Sequence, residues 1–286
     1  MNRILEATSI APGVRRMVVE APAIAVAHQA GQFVILRPKS TSERIPLTIA
    51  SSDPTAGAIT LYVQTVGHTT HVLNSLEEGD GIADVVGPLG MPTEIRHHGT
   101  VVVVGGGLGT AIAYPTAAAL AEAGNEVIAI VGGRSLPYVL LEDELSALGA
   151  EVIPCTDDGS YGRHGLVTDV LADLMRMGRV IDHVFVAGPV PMMAAVANMT
   201  RTASVSTIAS LNPIMVDGTG MCGGCRVEVG GLTKFACVDG PDFDAHAVDF
   251  ELLARRNRAY LEFEETARRR DAEIEAAGRV ETVRSP

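Results

Sequence analysis

The sequence predicts a small antiparallel β-barrel, then a doubly wound α/β domain, then a small cysteine-rich subdomain. The first third of the chain consists of short runs rich in Val, Ile and Thr that end at Gly, Pro or Asp, which is typical of a small β domain. The middle part alternates apolar strand-like runs with helix-like segments, as a parallel sheet requires. Three of the four cysteines then lie close together. We expect these parts at residues 1–97, 98–212 and 213–250, followed by a C-terminal helix and tail at 251–286.

Composition and charge exclude several classes of function. A formal net charge of −12 argues against nucleic acid as a partner, because a phosphate binder needs clustered Lys and Arg. The hydrophobic content of 47% is that of a globular protein. No secretory leader is visible, and four cysteines in 286 residues indicate a reducing compartment, so we expect a cytoplasmic protein.

Three runs predict strands of the barrel: Val14 to Glu20, Gln32 to Arg37 and Ile59 to Thr65. The one segment of this part that indicates a helix of any length is Thr70 to Leu76. A helix that begins near Thr70 would offer free N–H groups and a favourable dipole to an anion.

The α/β domain is predicted from four runs that are apolar on every side, as strands buried on both faces are. These are Val101 to Val104, Val127 to Val131, Val152 to Pro154 and Val184 to Ala187, with helices expected at 110–123, 138–148, 165–177 and 191–200. The stretch from Thr100 to Ala121 is uncharged and long enough to cross a bilayer. Four glycines between Gly105 and Gly109 divide it, however, so we expect a strand, a tight turn and a helix, and no membrane insertion.

This glycine-rich turn follows a strand and precedes a helix, at the edge of the sheet where doubly wound domains bind ligands. Gly106, Gly107 and Gly109 would let a dinucleotide pyrophosphate approach the backbone, and Thr110 opens the helix. A glycine-rich turn alone is weak evidence. The edge also carries Thr156-Asp157-Asp158-Gly159 and Gly188-Pro189 after later strands.

The cysteine-rich segment is DGTGMCGGCRVEVGGLTKFAC, from Asp217 to Cys237. Its spacing is Cys222-x2-Cys225-x11-Cys237, and the crowded glycines suit a loop that points ligands and N–H groups inward. We interpret it as a [2Fe-2S] site. Zinc is the alternative, although its structural sites usually repeat a close pair of ligands. A redox dithiol or unliganded core thiols also stay open.

The runs NPIMVDGTGMCGGCRVEVGG and KFACVDGPDFDAHAVDF resemble the small flavin and iron–sulfur subunit of electron-bifurcating NADH-dependent ferredoxin:NADP+ oxidoreductases, also named a sulfide dehydrogenase subunit. This group belongs to the ferredoxin reductase-like superfamily, which includes the electron-transfer subunit of dihydroorotate dehydrogenase. The resemblance implies that Asp217, Cys222, Cys225 and Cys237 hold the cluster. The dihydroorotate branch has a fourth cysteine in place of the aspartate. The alternative role of Asp217 is that of a turn residue.

The resemblance extends to a bound FAD. Residues 44–48 and 67–70 are similar to the two flavin motifs of the superfamily, although Arg44 lies four residues before Thr48 rather than three and Leu47 replaces an aromatic residue. Thr48 can pair with flavin N5 and its neighbouring carbonyl. The resemblance implies flavin contacts at the following residues: Arg44, Pro46, Leu47, Thr48, Tyr62, Val63, Gln64, Gly67, Thr69 and Thr70. Without the resemblance, Thr48 is an ordinary strand threonine.

The resemblance also implies a nicotinamide cofactor at the edge of the α/β domain, with Asp157, Asp158, Gly188 and Pro189 beside it. The superfamily often has Cys-Gly-Pro where this chain has Ala187-Gly188-Pro189. Arg134 could face the adenosine ribose, where a 2′-phosphate would favour its charge, or stay solvated. Both NAD(H) and NADP(H) stay open, and the resemblance slightly favours NADH.

The resemblance implies an oxidoreductase subunit that passes electrons between NAD(P)H, FAD and a [2Fe-2S] cluster to a larger flavin and iron–sulfur subunit, with ferredoxin as a further partner. No proteinaceous nucleophile or general-base dyad is needed, and we expect no catalytic side chain. The charged segment from Asp249 to about Gly278 predicts a solvated helix. A partner-docking helix is its alternative, and the tail VETVRSP is expected to fray. Two other functions stay open: the dihydroorotate dehydrogenase electron-transfer subunit and a zinc-stabilised regulatory subunit.

Overall fold

The computed structural model describes residues 2–259, 261–266 and 269. In the N-terminal part the strands are β1 (Asn2–Ala11), β2 (Val14–Glu20), β3 (Phe33–Arg37), β4 (Ile45–Thr48), β5 (Ser51–Asp53), β6 (Ala58–Gln64), β7 (Gly81–Ile82) and β8 (Asp84–Leu89), and the helices are α1 (Pro22–Ala27) and α2 (His68–Asn74). One antiparallel sheet has the order β5-β6-β2-β1-β7 and a second has the order β4-β3-β8. Side chains from both sheets share one buried core, so together they form the predicted barrel.

The three strands predicted in this part are confirmed as β2, β3 and β6 to within one residue at each end. Helix α2 begins at His68, two residues before the predicted start. Helix α1 was not expected. Its six residues begin with Pro22, whose fixed φ suits a first helical position, and they bury Ile24 and Ala25.

The remaining elements are β9 (Thr100–Gly106), α3 (Gly109–Glu122), β10 (Glu126–Gly133), α4 (Glu142–Ala147), β11 (Glu151–Thr156), β12 (Arg163–His164), α5 (Val167–Arg176), β13 (His183–Ala187), α6 (Val190–Thr202), β14 (Ser206–Ser210), β15 (Arg226–Val229), β16 (Leu232–Phe235), α7 (Ala236–Asp239), β17 (Asp242–Asp244) and α8 (Phe250–Asn257). The main sheet has the order β12-β11-β10-β9-β13-β14-β17 and is parallel except for β17. Helices α3 and α4 pack on one face, and α5 and α6 pack on the other. The doubly wound prediction is confirmed.

The predicted helix at 138–148 is shorter in the structure, where α4 starts at Glu142. Leu140 and Leu141 are buried beside the barrel, and Leu141 has a φ of 61°, which interrupts any helix at that point. Three acidic residues, Glu142, Asp143 and Glu144, occupy the first turn, where the helix dipole favours negative charge. Tertiary burial therefore fixes the start of α4.

Strands β15 and β16 form a hairpin, and β17 then returns to the main sheet beside β14. The cysteine-rich segment is thus joined directly to the α/β sheet. Helix α8 follows, with Asp249 Oδ1 accepting a hydrogen bond from the Leu252 N–H. The helix ends at Asn257 and helical structure resumes at 261–266, so the predicted continuous helix is interrupted. The rest of that prediction and the tail VETVRSP lie outside the described residues. Among the helices described, none has the length and apolar character needed to span a bilayer.

A pair of histidines lies at the amino-terminal edge of the main sheet. The rings of His98 and His183 stack with centroids 4.3 Å apart. Burial, and then the neighbouring His98, lowers the pKa of His183 from 6.5 to about 4. Neutral His183 is therefore favoured in the folded state, and its contribution to stability is complete above pH 6.5 and is lost as the pH falls towards 4.

We expect this shift to remove about 3 kcal/mol of folding free energy over that range. Urea titrations of the cofactor-bound chain at several pH values will measure it. The His183→Gln variant should show a weaker pH dependence of the unfolding free energy. The control His97→Gln, which replaces the exposed histidine next to His98 in the chain, should leave that dependence unchanged. Equal pH dependence in the wild type and His183→Gln would contradict the assignment.

Candidate functional site

The predicted flavin residues lie on β4, β6 and α2. Thr48, at the end of β4, pairs with Phe33, and Pro46 and Leu47 pair with the following residues of β3. Arg44 is exposed just before β4 and makes no hydrogen bond or ion pair with the residues that the structure describes. This guanidinium is therefore available to an anionic group.

Tyr62 has a second role that the sequence did not indicate. Its ring lies in a buried cluster with Val14 of the barrel and Ala111 and Leu140 of the α/β part. Burial raises the pKa of its hydroxyl, and Arg16 is hydrogen-bonded to it. Tyr62 therefore packs at the junction between the barrel and the α/β domain. Val63, next along the strand, points into the barrel core.

The start of α2 presents an unpartnered hydroxyl. Thr69 is 5% exposed, and its Oγ1 is buried without a hydrogen-bond partner among the described residues. By contrast, Thr70 Oγ1 accepts hydrogen bonds from the N–H groups of Val66 and Gly67, each at 3.0 Å, and donates to the Gly67 carbonyl. Thr69 is thus free to meet a ligand, whereas Thr70 stabilises the helix start.

The glycine-rich turn after β9 lies against the turn after β13. A Cβ built at Gly109 would be 2.2 Å from the Ala187 carbonyl oxygen, and one built at Gly106 would be 2.4 Å from Met192 Sδ. Gly188 lies beside Gly106. Protein contacts therefore require several of these glycines, which the sequence had attributed to a ligand.

Gly107 differs from its neighbours. It has a φ of 55°, and a Cβ built on it would meet no atom within 4 Å. Thr110, at the start of α3, is 2% exposed, and its Oγ1 has no partner among the described residues. An open backbone position beside an unpartnered hydroxyl, at the beginning of a 14-residue helix, suits a phosphate group.

The neighbouring strands bring Arg134 next to the two aspartates. The Asp157 and Asp158 N–H groups donate to the carbonyls of Gly133 and Arg134, at 3.1 and 3.3 Å. The Arg134 guanidinium lies 4.8 Å from the centre of the Tyr138 ring. Asp158 Oδ1 accepts a hydrogen bond from the Ser160 N–H, and contacts with Ser160 lower the pKa of its carboxyl.

These positions form one continuous edge, because β11, β10, β9 and β13 are adjacent and all end there. The structure therefore brings together the predicted nucleotide residues: Gly106, Gly107, Gly109, Thr110, Arg134, Asp157, Asp158, Gly188 and Pro189. The stacked Tyr138 was missed, since only the fold of the Leu136–Tyr138 turn places it under Arg134.

The four proposed cluster ligands fall into two pairs. Cys225 Sγ and Cys237 Sγ are 3.2 Å apart in the buried part of the segment. Asp217 Oδ2 accepts a hydrogen bond from the Cys222 N–H at 2.8 Å, and the Cys222 thiol is also hydrogen-bonded to this carboxylate. Two thiolates on one tetrahedral metal stand about 3.8 Å apart, so the buried pair needs only a small movement to share a metal.

Backbone N–H groups are directed at the sulfurs. The Gly224 N–H lies 3.4 Å from Cys222 Sγ, and the Cys237 N–H lies 3.5 Å from Cys225 Sγ. Burial, and then contact with Cys225, raises the pKa of the Cys237 thiol to about 12. A nearby cation would reverse this preference, because a metal-bound thiol is deprotonated. The donors therefore fit thiolate ligands.

Hydrogen bonds from backbone N–H groups favour the ionised form of Asp217. Its Oδ1 accepts from the Thr219 N–H at 2.8 Å, and this hydrogen bond is the main cause of the lowered pKa of the carboxyl. The contact is that of a turn residue, so the alternative from the sequence is present in the structure. It also delivers a charged carboxylate beside Cys222, as a metal ligand must be.

The donor set of this segment is rich in sulfur. It offers three cysteines and one aspartate, and two of the sulfurs are already 3.2 Å apart. Iron–sulfur clusters are held mainly by cysteine thiolates, so the segment fits a [2Fe-2S] cluster. The fourth cysteine, Cys155, is buried at the end of β11 and belongs to neither pair.

Comparisons with known proteins agree with this site. Residues 212–249 match the iron–sulfur cluster binding domain of dihydroorotate dehydrogenase B. The chain is 45% identical over 264 residues to a "Dihydroorotate dehydrogenase B (NAD(+)), electron transfer subunit homolog" of Thermotoga maritima, covering 92% of this chain and 93% of that protein. It is 34% identical to the electron transfer subunit of Bacillus caldolyticus, covering 77% and 87% of the two chains.

Solved structures are similar to this chain in fold. One chain from a study of flavin-based electron bifurcation, by an NADH-dependent reduced ferredoxin-NADP oxidoreductase, superposes with a TM-score of 0.90 at 43% identity and covers 95% of this chain and 98% of its own. A cytochrome P450 reductase from Amycolatopsis superposes with a TM-score of 0.57 at 27% identity, covering 70% and 65%. The second match does not extend over the whole chain.

Proposed function

The chain belongs to the family of dihydroorotate dehydrogenase B electron transfer subunits and their homologues, and from this premise we propose that it passes electrons between NADH and a partner flavoprotein through bound FAD and a [2Fe-2S] cluster. It is an oxidoreductase subunit of the ferredoxin reductase type. The observation that carries the proposal is the pairing of Asp217 with Cys222 and of Cys225 with Cys237, in a segment joined directly to the α/β sheet.

The nicotinamide exchanges electrons in pairs and the cluster exchanges them singly, and the flavin connects the two because it does both. The protein's own residues bind and orient these groups. We assign the cluster to Asp217, Cys222, Cys225 and Cys237, which would hold its irons. The backbone N–H groups directed at the sulfurs support thiolate ligation.

We assign the flavin to the face of the barrel that carries β4, the end of β6 and the start of α2. The buried, unpartnered Thr69 hydroxyl supports a diphosphate at this point, with Arg44 as its cation. We assign Thr48 to the flavin ring system. Pro46, Leu47, Tyr62, Val63, Gln64, Gly67 and Thr70 complete the proposed surroundings.

We assign the nicotinamide cofactor to the carboxyl edge of the main sheet, with its diphosphate at Gly107 and Thr110. The backbones of Asp157 and Asp158 are hydrogen-bonded to those of Gly133 and Arg134, so two acidic residues stand beside one arginine, and the net negative charge opposes a 2′-phosphate. This supports NADH over NADPH. The proposed division of labour is a flavin domain at 1–97, a nucleotide domain at 98–212, a cluster subdomain at 213–250 and a C-terminal helix and tail at 251–286.

The partner is proposed to dock over the exposed side of the cluster segment. Met221 is 87% exposed, and Val216 and Val238 are 48% and 46% exposed. These apolar side chains surround the exposed ligand Cys222. A single electron crosses only a short distance, so the acceptor flavoprotein must cover this surface. We propose the cytoplasm as the compartment, because it keeps the thiols reduced before the cluster assembles.

Purifying the chain with its bound partner will test the proposal. We expect about two iron atoms and as many sulfides per chain, bound FAD, and visible absorbance that NADH bleaches faster than NADPH. Native protein without iron would overturn the assignment. Zinc in place of iron would favour a regulatory subunit.

The names of the relatives favour a second candidate, the electron transfer subunit of dihydroorotate dehydrogenase itself. The two candidates differ in the partner. Reduction of NAD+ coupled to the oxidation of dihydroorotate would favour this alternative, and electron exchange of NADH with NADPH and ferredoxin would favour an NADH-dependent ferredoxin-NADP oxidoreductase. The aspartate at position 217 and the TM-score of 0.90 support the latter.

A further inference from the structure

Helix α8 lies beyond the matched cluster domain at 212–249, yet it packs against the cluster segment. Leu253 is 1% exposed and lies in the same buried core as Cys225, Cys237 and Val227. Residues three positions apart share one face of a helix, so Arg256 projects from the face that Leu253 anchors. The core contact therefore fixes where this arginine lies.

Arg256 contacts the backbone between two proposed ligands. Its Nη2 donates to the Gly224 carbonyl at 3.2 Å. Gly224 separates Cys222 from Cys225 by its position in the chain, and its own N–H lies 3.4 Å from Cys222 Sγ. The guanidinium thus contacts the residue that directly precedes Cys225 and whose N–H is directed at Cys222 Sγ.

The guanidinium has further hydrogen-bonding capacity at this position. Arg256 is half-buried, and its Nε is buried without an acceptor among the residues described. The neighbouring Asn257 donates to the Asn212 carbonyl at 3.2 Å, which ties the end of α8 to the segment that leads into the cluster loop. Arg226 also lies near this loop, beside Gly223, but it is exposed and water screens its charge.

We propose that Arg256 is a positioning residue that sets the reduction potential of the cluster. The inference rests on the proposed function, because it requires a cluster at the paired ligands. Reduction adds one negative charge to the loop, and a fixed, half-buried cation beside that loop stabilises the added charge. The contact with the Gly224 carbonyl keeps the cation in place. Without it, the cluster becomes harder to reduce.

The test compares Arg256→Gln with Arg255→Gln in the full chain bound to its partner. Arg255 precedes Arg256 on the same helix and is exposed, and its guanidinium has no hydrogen-bond partner in the described part of the chain, so it is a matched loss of one charge. Iron and sulfide content is measured first. Redox titration followed by electron paramagnetic resonance of the reduced cluster then gives the midpoint potential.

We expect Arg256→Gln to lower the ratio of reduced to oxidised cluster about tenfold at a fixed solution potential, which corresponds to about 59 mV. Arg255→Gln should stay close to the wild type, and Arg256→Lys, which keeps the charge, should lose much less than Arg256→Gln. An unchanged potential in Arg256→Gln, or an equal change in Arg255→Gln, would overturn the inference.

If Arg256→Gln binds no iron, the Arg256→Lys variant distinguishes a role of the charge from a role in folding. Recovery of the cluster and of a nearly wild-type potential in the lysine variant supports the role of the charge, whereas a lysine variant without a cluster assigns Arg256 to folding alone and overturns the inference. Wild-type protein without iron and sulfide contradicts the proposed function instead. The two failures are therefore distinguishable.

Discussion

Cys225→Ala is expected to abolish iron binding while FAD and NADH binding persist. Cys225 is 2% exposed and shares the buried pair with Cys237, 3.2 Å away. Removing one sulfur leaves one metal with a single protein ligand from that pair. Loss of an outer hydrogen-bond partner already lowers metal affinity by about 10- to 100-fold, so loss of a ligand should exceed about 100-fold.

Cys155→Ala is the matched control, because Cys155 is also buried and also a cysteine but lies at the end of β11, outside both pairs. Iron and sulfide content, the visible spectrum and NADH-dependent bleaching of the flavin should separate the two variants. We expect Cys225→Ala to retain flavin bleaching and to lose electron delivery to the partner. Normal iron content in Cys225→Ala would show that the cluster lies elsewhere.

The sequence predicted most of the elements that hold the site because local patterns decided them. The all-apolar runs at β9, β10 and β13 are typical of a buried parallel sheet, and a glycine-rich turn between such a strand and a helix is a local feature. The spacing of Cys222, Cys225 and Cys237 likewise indicated the ligand loop. The comparisons support the same family and cofactors.

Features that depend on contacts between residues far apart in the chain were not predicted from the sequence. Strand β17, which begins at Asp242, pairs with β14, which ends at Ser210, and nothing in its short run Asp242–Asp244 indicates that pairing. The predicted end of helix 138–148 was right to within one residue. Its predicted start was wrong, because burial of Leu140 and Leu141 beside the barrel overrides helical propensity. The contact of Arg256 with Gly224 is equally invisible in sequence, since charged residues on both sides of it indicate only a solvated helix.

The glycines of the turn after β9 show how one motif combines two requirements. Sequence pattern attributes all of them to a ligand, but the structure divides them into those that allow two protein segments to touch and one that faces open space. Gly109 belongs to the first class and Gly107 to the second. This division leads to opposite expectations for the same substitution at two positions.

Gly109→Ala is expected to destabilise the fold itself. The new Cβ would lie 2.2 Å from the Ala187 carbonyl oxygen and 2.6 Å from the Gly188 Cα, and both are backbone atoms that cannot rotate away. Overpacking of this kind costs about 3 kcal/mol when the backbone must shift. For a chain of this size the thermal midpoint should fall by roughly 5 °C.

Gly107→Ala is the matched control, since it adds the same methyl group two residues earlier with no atom within 4 Å. Its positive φ costs about 1 kcal/mol for alanine. The larger expected effect is on NADH, because the methyl group occupies the space proposed for the diphosphate. Thermal unfolding and NADH titration of both variants measure the two effects separately. A wild-type thermal midpoint for Gly109→Ala would show that the two turns separate more easily than their contact indicates. Wild-type NADH affinity in Gly107→Ala would show that the diphosphate does not bind at this turn.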